Sequence, residues 1–313
     1  MTALTTATLR LGTRRSALAL AQSGLVAQTL RAAGHTVELV EVTTQGDTSP
    51  GAVADLGTGV FVNELRRALG AGEVDLAVHS LKDLPTTPAD DVVLAAVPGR
   101  ADPRDALVAR DGATLAELPG GARIGTGSPR RAAQLRSLGY GLDLVAIRGN
   151  VDTRIGKVAA GELDGVVVAV AGLDRLGRRD AATEVLDPGQ LLPAPGQGAL
   201  AVECRATDAD LAASLAAALD DPRSRAAVTA ERALLARLEA GCTAPVGALA
   251  DVAVGDEGEE EIYLRAVVAN IDGTRSIRLS ITGALDEPED VGNRLAASLL
   301  EAGAADLIGE SRE

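Results

Sequence analysis

Apolar positions along the first two hundred residues follow two spacings in turn. Leu9–Gly12, Thr36–Thr43 and Leu76–His79 are short runs with the length and alternation of strands. Between them Leu18, Ala21 and Leu25, and then Phe61, Leu65, Ala68 and Leu69, fall on single helical faces. The pattern restarts near residue 103, with strands at Arg123–Gly125, Leu142–Ile147 and Val166–Val170 separated by helical stretches. Strands alternating with helices predict largely parallel sheets covered on both faces. Two such α/β domains are expected, with an active site where strand ends face a cleft.

The rhythm changes after residue 220. Asp221-Pro222 is a helix start, with Asp as N-cap and Pro at the first helical position. Ala227, Ala230, Leu234 and Leu238 then trace an apolar face that ends at Gly241. About Val246 to Ser280 reads as three antiparallel strands and Pro288 to Ala302 as a closing helix, a small α+β domain. The acidic run Asp256–Glu261 falls at a hairpin tip, where charge is solvated. The expected boundaries are 1–100 with 198–219 for a discontinuous first domain, 101–197 for the second and 220–313 for the third. Thr44–Gly59, rich in Gly, Thr, Asp and Ser and without a period, reads as a lid or as a plain surface loop.

Composition narrows the chemistry. Hydrophobic residues make up 46% but aromatics only 1%, namely Phe61, Tyr140 and Tyr263. Cores must be aliphatic, and stacking on bases is not available as a binding device. The net charge of −14 argues against a duplex-DNA partner. Cys204 and Cys242 make no disulfide framework, and His35 and His79 lack metal-ligand spacing. No long apolar stretch and no apolar leader at Met1–Leu11 occur, so a cytoplasmic chain without a membrane partner is expected.

Within that acidic chain nearly all basic residues are Arg, and several stand at turns after strands. Thr13-Arg14-Arg15-Ser16 follows the first strand. In Gly125-Thr126-Gly127-Ser128-Pro129-Arg130-Arg131, Ser128 is placed to cap a helix and Pro129 to begin it. Arg148-Gly149-Asn150-Val151-Asp152-Thr153-Arg154 repeats the design, and Arg175 closes the following unit. Helix N-termini and planar guanidinium forks both suit anions, so their convergence predicts a polyanionic ligand, with phosphate and carboxylate equally open. The absence of G-x-x-x-x-G-K-[ST] counts against nucleoside triphosphates.

Two further residues stand out. Asp83, beside Lys82 in His79-Ser80-Leu81-Lys82-Asp83, ends a strand and is placed for general acid–base work or for an ion pair. Cys242, in the loop Gly241-Cys242-Thr243-Ala244-Pro245, is placed as a nucleophile or attachment point, whereas Cys204 lies in an apolar run and reads as structural.

These motifs, in order and over nearly the whole chain, resemble those of the porphobilinogen deaminases. The resemblance also covers Asp102-Pro103-Arg104-Asp105, Ala171 to Gly177, Pro195-Gly196-Gln197-Gly198-Ala199, Glu203-Cys204-Arg205 and Leu238 to Cys242. It implies two domains like periplasmic binding proteins around a cleft, plus a small C-terminal α+β domain. It implies a transferase of haem biosynthesis, hydroxymethylbilane synthase, which joins four porphobilinogen units head to tail, releases ammonia each time and hydrolyses off the product. A dipyrromethane cofactor would be joined by a thioether to Cys242. Asp83 would stabilise the electron-deficient pyrrole and move protons. Lys82, Ser128, Arg130 and Arg131 would hold cofactor carboxylates. Arg14, Ser16, Thr126, Arg148, Arg154, Arg175 and Gln197 would hold substrate or the elongating chain. No metal is implied. The expected partners are porphobilinogen, oligopyrrole intermediates and a uroporphyrinogen-III synthase that takes the product, and the expected state is a monomer.

One departure lies in the lid. Many family members read Gly-Lys-Gly where this chain has Gly57-Thr58-Gly59 before Val60-Phe61, so a lid cation is not carried over. Two rival readings stand beside the resemblance. A solute-binding module would need a secretion signal and has no use for Cys242. An enzyme acting on a phosphate ligand would leave the loop cysteine unexplained.

Overall fold

The structure is a computed structural model that describes residues 8–42, 60–240, 244–255 and 258–309, with side chains in the second segment from residue 62. The chain forms two compact units, Met1–Arg100 with Ala199–Arg225, and Ala101–Gly198 with Ala226–Glu313.

In the first unit, strands β1 (Leu9–Thr13), β2 (Val37–Glu41), β3 (Leu76–Ser80), β4 (Val92–Ala96) and β10 (Leu200–Arg205) form one sheet, with helices α1 (Ala17–Ala32), α2 (Val60–Gly70) and α6 (Ala209–Leu219). The strand order is β2-β1-β3-β10-β4. β1 runs parallel to β2 and β3, but β10 is antiparallel to both its neighbours. The expectation of a largely parallel sheet is corrected at this strand. The chain returns beside the C-terminal end of β3, pairs Leu200 with Ser80, and must run back down to pair Cys204 with Leu76. Leu11, Leu30, Leu76, Val202, Cys204 and Leu215 are buried in one core. Cys204 is the structural residue its apolar run predicts.

The second unit repeats the plan. Strands β5 (Asp105–Ala109), β6 (Arg123–Thr126), β7 (Asp143–Ala146), β8 (Gly165–Ala169) and β9 (Glu184–Val185) take the order β7-β6-β8-β5-β9. β6 is parallel to β7 and β8, and β5 is antiparallel to β8 and β9. Helices α3 (Pro129–Ser137), α4 (Val151–Ala159) and α5 (Val170–Arg175) follow β6, β7 and β8 in turn. β5 therefore occupies the place that β10 holds in the first sheet. The apolar runs of β4 and β5 were not anticipated as strands.

Helix α7 (Pro222–Arg237) opens the C-terminal domain, and the Asp221 side chain accepts the Ser224 N–H at 2.7 Å, as a cap should. Its predicted face, Ala227, Ala230, Leu234 and Leu238, is buried against the antiparallel strands β11 (Val246–Val254), β12 (Glu260–Ala269) and β13 (Ser276–Ala284). Helices α8 (Pro288–Glu301) and α9 (Ala304–Gly309) complete that core with Val291, Leu295, Leu299, Leu307 and Ile308. No described helix is long and apolar enough to cross a membrane.

Candidate active site

In the first sheet the predicted residues gather at the C-terminal ends of β1 and β3, adjacent parallel strands. Arg14 and Ser16 occupy the turn after β1. The Ser16 hydroxyl caps α1, accepting the Ala19 N–H at 3.2 Å. Lys82 and Asp83 lie in a single 3-10 turn directly after β3, with Leu81 buried beneath them. Lys82 is half-buried, Asp83 is exposed, and the Asp83 carboxylate receives no hydrogen bond from a described residue. A carboxylate presented this way is available to a ligand N–H.

A buried cluster stands behind this edge. Glu203 of β10 takes two bonds from Arg66 of α2, at 3.0 and 2.6 Å, and its other neighbour is His79 of β3, whose Nε2 lies 3.3 Å away. Burial pushes the Glu203 carboxyl up, but His79 and Arg66 outweigh it and hold the group at about 2. The strand that precedes Lys82-Asp83 thus meets, through His79, the Glu203 of β10 that Arg66 of α2 holds.

In the second sheet the predicted residues stand at the C-terminal ends of β6, β7 and β8, but not all of them face outward. Thr126 is buried, and its Oγ1 accepts the Ser128 N–H at 3.2 Å. Ser128 caps α3 as predicted, accepting the Arg131 N–H at 3.4 Å. A Cβ at Gly127 would collide with the Ile147 carbonyl, so glycine is required for the turn to pass that strand.

Arg130 and Arg131 are buried and turn onto the fully buried Asp105 at the head of β5. Arg130 Nη2 lies 2.8 Å from Asp105 Oδ2, while Arg131 Nε and Nη2 lie 3.1 and 2.7 Å from Oδ1. Gln197 Nε2 donates to the same Oδ1 at 2.8 Å, so Gln197 supports the cluster from within the protein. Burial raises the Asp105 carboxyl, and the two guanidinium groups reverse the shift and hold it far below the carboxylate range. Two cations on one anion leave a surplus positive charge. Asp105 was not singled out from the sequence as a site residue; the signal was an acid heading the otherwise apolar run Asp105-Ala106-Leu107-Val108-Ala109.

Arg154 adds to that surplus through its repulsion with Arg131, and Arg175 is a further guanidinium withdrawn from water. Arg154 Nε donates to the Gly149 carbonyl at 2.8 Å, and Arg175 Nη2 to the Gly198 carbonyl at 2.6 Å. Neither makes an ion pair with a carboxylate among the described residues, although the neighbouring Asp174 raises Arg175 through space. Burial lowers the Arg175 guanidinium to about 10. Burial, and then repulsion from Arg131, lower Arg154 as well. Arg104, bonded to the Asp102 carboxylate, shifts upward instead. Arg148 is exposed and lines a cavity of about 390 Å³ together with Arg123 and Lys157.

The structure therefore brings Arg130, Arg131 and Gln197 together around Asp105, with Thr126 and Ser128 in the turn that opens α3 and Arg154 in electrostatic reach of Arg131, and groups Arg14, Ser16, Lys82 and Asp83 on the other sheet. Cys242, Thr58 and the rest of the expected lid lie outside the described residues, as does the Phe61 side chain. Among the described residues no cluster of His, Cys, Asp and Glu could hold a metal ion.

Comparison with known proteins follows the same outline. The sequence model described as porphobilinogen deaminase, dipyromethane cofactor binding domain, matches residues 9–213, and that described as porphobilinogen deaminase, C-terminal domain, matches residues 225–301. Porphobilinogen deaminase 1 of Streptomyces avermitilis is 60% identical over 317 residues, covering 96% of this chain and 98% of that protein. Porphobilinogen deaminase of Nocardia farcinica is 57% identical over 306 residues, covering 96% and 88%. The protein of that name from Mycobacterium tuberculosis is 56% identical over 304 residues, covering 96% and 98%. Among solved structures, a periplasmic substrate-binding protein from Coxiella burnetii aligns at a TM-score of 0.44 and 16% identity, covering 69% of this chain and 94% of that one. The fold described above rests on its own strand orders.

Proposed function

The chain belongs to the porphobilinogen deaminase family, and on that premise we propose that it is a hydroxymethylbilane synthase, a transferase that joins four porphobilinogen units head to tail, releases ammonia at each step and frees the tetrapyrrole by hydrolysis. The observation that carries the reading is the pair Arg154 and Arg175, drawn partly out of water and bonded only to carbonyls among the described residues. A desolvated guanidinium without an acid favours an anion that completes it. Porphobilinogen carries an acetate and a propionate, so each added unit brings two carboxylates to be neutralised.

A dipyrromethane fits the same donors, because its side arms are of the same kind. Lys82, Ser128, Arg130 and Arg131 would hold its carboxylates, with both arginines oriented from behind by Asp105. Arg14, Ser16, Arg148, Arg154 and Arg175 would hold substrate and the elongating chain. Thr126 and Gln197, both bonded inside the protein, would shape the turn and the Asp105 cluster. When bound, the cofactor supplies the free pyrrole carbon from which the chain grows, and Cys242 would tether it by a thioether.

Asp83 does the proton work in this scheme. Its exposed carboxylate accepts a pyrrole N–H, stabilises positive charge on the substrate as the amine departs, and takes the proton lost at the new bond. The product would pass to a uroporphyrinogen-III synthase, and the enzyme would act as a cytoplasmic monomer.

Intact mass of the purified protein tests the reading. The expected mass exceeds that of the chain by one dipyrromethane, and Cys242→Ala loses the increment. Asp83→Asn is expected to keep it while turnover falls by about 10²–10⁴-fold. A folded, unmodified chain that does not consume porphobilinogen would overturn the proposal and favour a solute binder.

A further inference from the structure

We propose that Gln134, Arg278 and Gly273 are positioning residues that fasten helix α3, the carrier of Arg130 and Arg131, to the C-terminal domain, and so set where a tether from that domain meets the arginines. The inference rests on the reading of Cys242 as the attachment site, and it goes beyond that reading by naming what holds the two parts in register.

The contacts form a single joint. The buried Gln134 amide clamps the backbone of Leu192, donating to its carbonyl at 3.0 Å and accepting its N–H at 2.9 Å. Arg130 donates to the same carbonyl. Leu192 is buried with Leu249 of β11 and Val267 of β12, and the next residue, Pro193, accepts the Ala248 N–H at 3.0 Å. Arg278 of β13 then reaches back: Nη2 donates to Gln134 Oε1 at 3.1 Å and Nη1 to the Gly189 carbonyl at 3.2 Å. Burial lowers this guanidinium, and its hydrogen-bond partners among the described residues are all uncharged oxygens.

A second contact is made at Ala133 and Arg136 of α3. Gly273, in the β12–β13 turn, has φ +74, and a Cβ there would collide with the Ala133 carbonyl. Arg136 Nη1 donates to the Ile271 carbonyl at 2.6 Å in the same turn. One short helix is thus gripped at two places by the domain whose α7 and β11 flank residues 241–243 in sequence. Neither grip is needed to hold Asp105, which Arg130, Arg131 and Gln197 already satisfy.

The physical consequence is one of effective concentration. A group tethered to one rigid part and bound by another is held well only while the separation between the parts is constant. If the joint loosens, the cofactor carboxylates spend less time on the arginines, and both cofactor loading and porphobilinogen binding weaken while the proton chemistry at Asp83 is untouched.

The test uses the holoenzyme with spin labels on Ser137→Cys of α3 and Glu301→Cys of α8, both exposed. Cys204 is buried and Cys242 would be blocked by its thioether. Pulsed dipolar distances are expected to be single and narrow in the labelled parent. Gln134→Leu with Arg278→Leu should broaden them, raise KM for porphobilinogen by about fivefold, lower the loaded fraction in intact mass, and leave kcat within about twofold. Arg278→Leu alone keeps the test open if the double variant does not fold. Unbroadened distances overturn the proposal whatever KM does, and broadened distances with parental KM and loading overturn the positioning role. A third label on Cys242, seen by mass, would sink the attachment reading instead while the distances still judge the joint.

Discussion

β10 and β5 occupy the same place in their two sheets, each antiparallel between neighbours, and each carries one buried acid, Glu203 and Asp105. The difference between the two acids separates scaffold from site. Glu203 faces one arginine and a histidine, and its cluster closes on itself behind the Asp83 turn. Asp105 faces two arginines, so its cluster is left with net positive charge beside Arg154, whose guanidinium is already lowered by burial and by Arg131. Arginine count does not mark an anion site in a chain so rich in arginine. What marks it is a guanidinium withdrawn from water with too few acids to match it.

Breaking the richer cluster should have the largest effect. Asp105→Asn leaves two buried guanidinium groups without a counter-charge, and loss of one partner from a buried ion pair typically costs about 3–5 kcal/mol. A large fall in the urea midpoint is expected, and a variant as stable as the parent would show that Arg130 and Arg131 do not depend on Asp105.

The Glu203 cluster should show itself through acid. Its folded-state value of about 2 lies below the ordinary 4.5. Its contribution is therefore complete above about pH 4.5 and is lost as pH falls toward 2, with a size on the order of 3 kcal/mol. Stability of the parent minus that of Glu203→Gln, measured by denaturation across this window, should shrink as pH falls. A constant difference would mean that the group keeps the same proton affinity when the chain unfolds.

Much of this contrast was legible in the sequence, and the rest was not for identifiable reasons. The helix-opening turns could be read because Ser128-Pro129 and Asp221-Pro222 carry their own local geometry. β4 and β5 escaped because Val92–Ala96 and Asp105–Ala109 are short apolar runs with little or no alternation. The direction of β10 escaped because it depends on where the chain re-enters the first sheet, which no local pattern records. Arg130, Arg131 and Thr126 were legible as polar residues in the turn after a strand, and Gln197 through the family resemblance alone. That they turn inward, onto Asp105 or into the turn itself, is set by packing between segments as distant as residues 105 and 197.

The next effect falls on binding rather than stability. Arg175→Gln removes a charge that makes no ion pair among the described residues, and Asp174, its acidic neighbour, keeps its own pairing with Arg179 at 3.1 Å. A charge-assisted hydrogen bond to a carboxylate is worth about 1.5–3 kcal/mol, or roughly 10–150-fold in kcat/KM. The urea midpoint should hold or rise, because burying this guanidinium is itself unfavourable. A variant that loses stability but keeps its kcat/KM would place Arg175 with Glu203's partner, as scaffold.

The smallest effect sharpens the comparison from the other side. Arg15 is the immediate neighbour of Arg14 in the turn after β1, yet it is exposed and pairs with Glu41 at 3.2 Å, where both side chains are more than half or about half open to solvent, at 60% and 50%. Exposed pairs of this kind contribute about 0–1 kcal/mol, since water screens them and two long side chains must be ordered. Arg15→Gln is expected to leave the urea midpoint, cofactor mass and kcat/KM at parental values. Arg14→Gln, one position away and half-buried, is expected to lower kcat/KM under the proposed function. If both variants behave alike, burial does not separate the binding arginines of this chain from the ornamental ones, and the distinction drawn between the Asp105 and Glu203 clusters loses its basis.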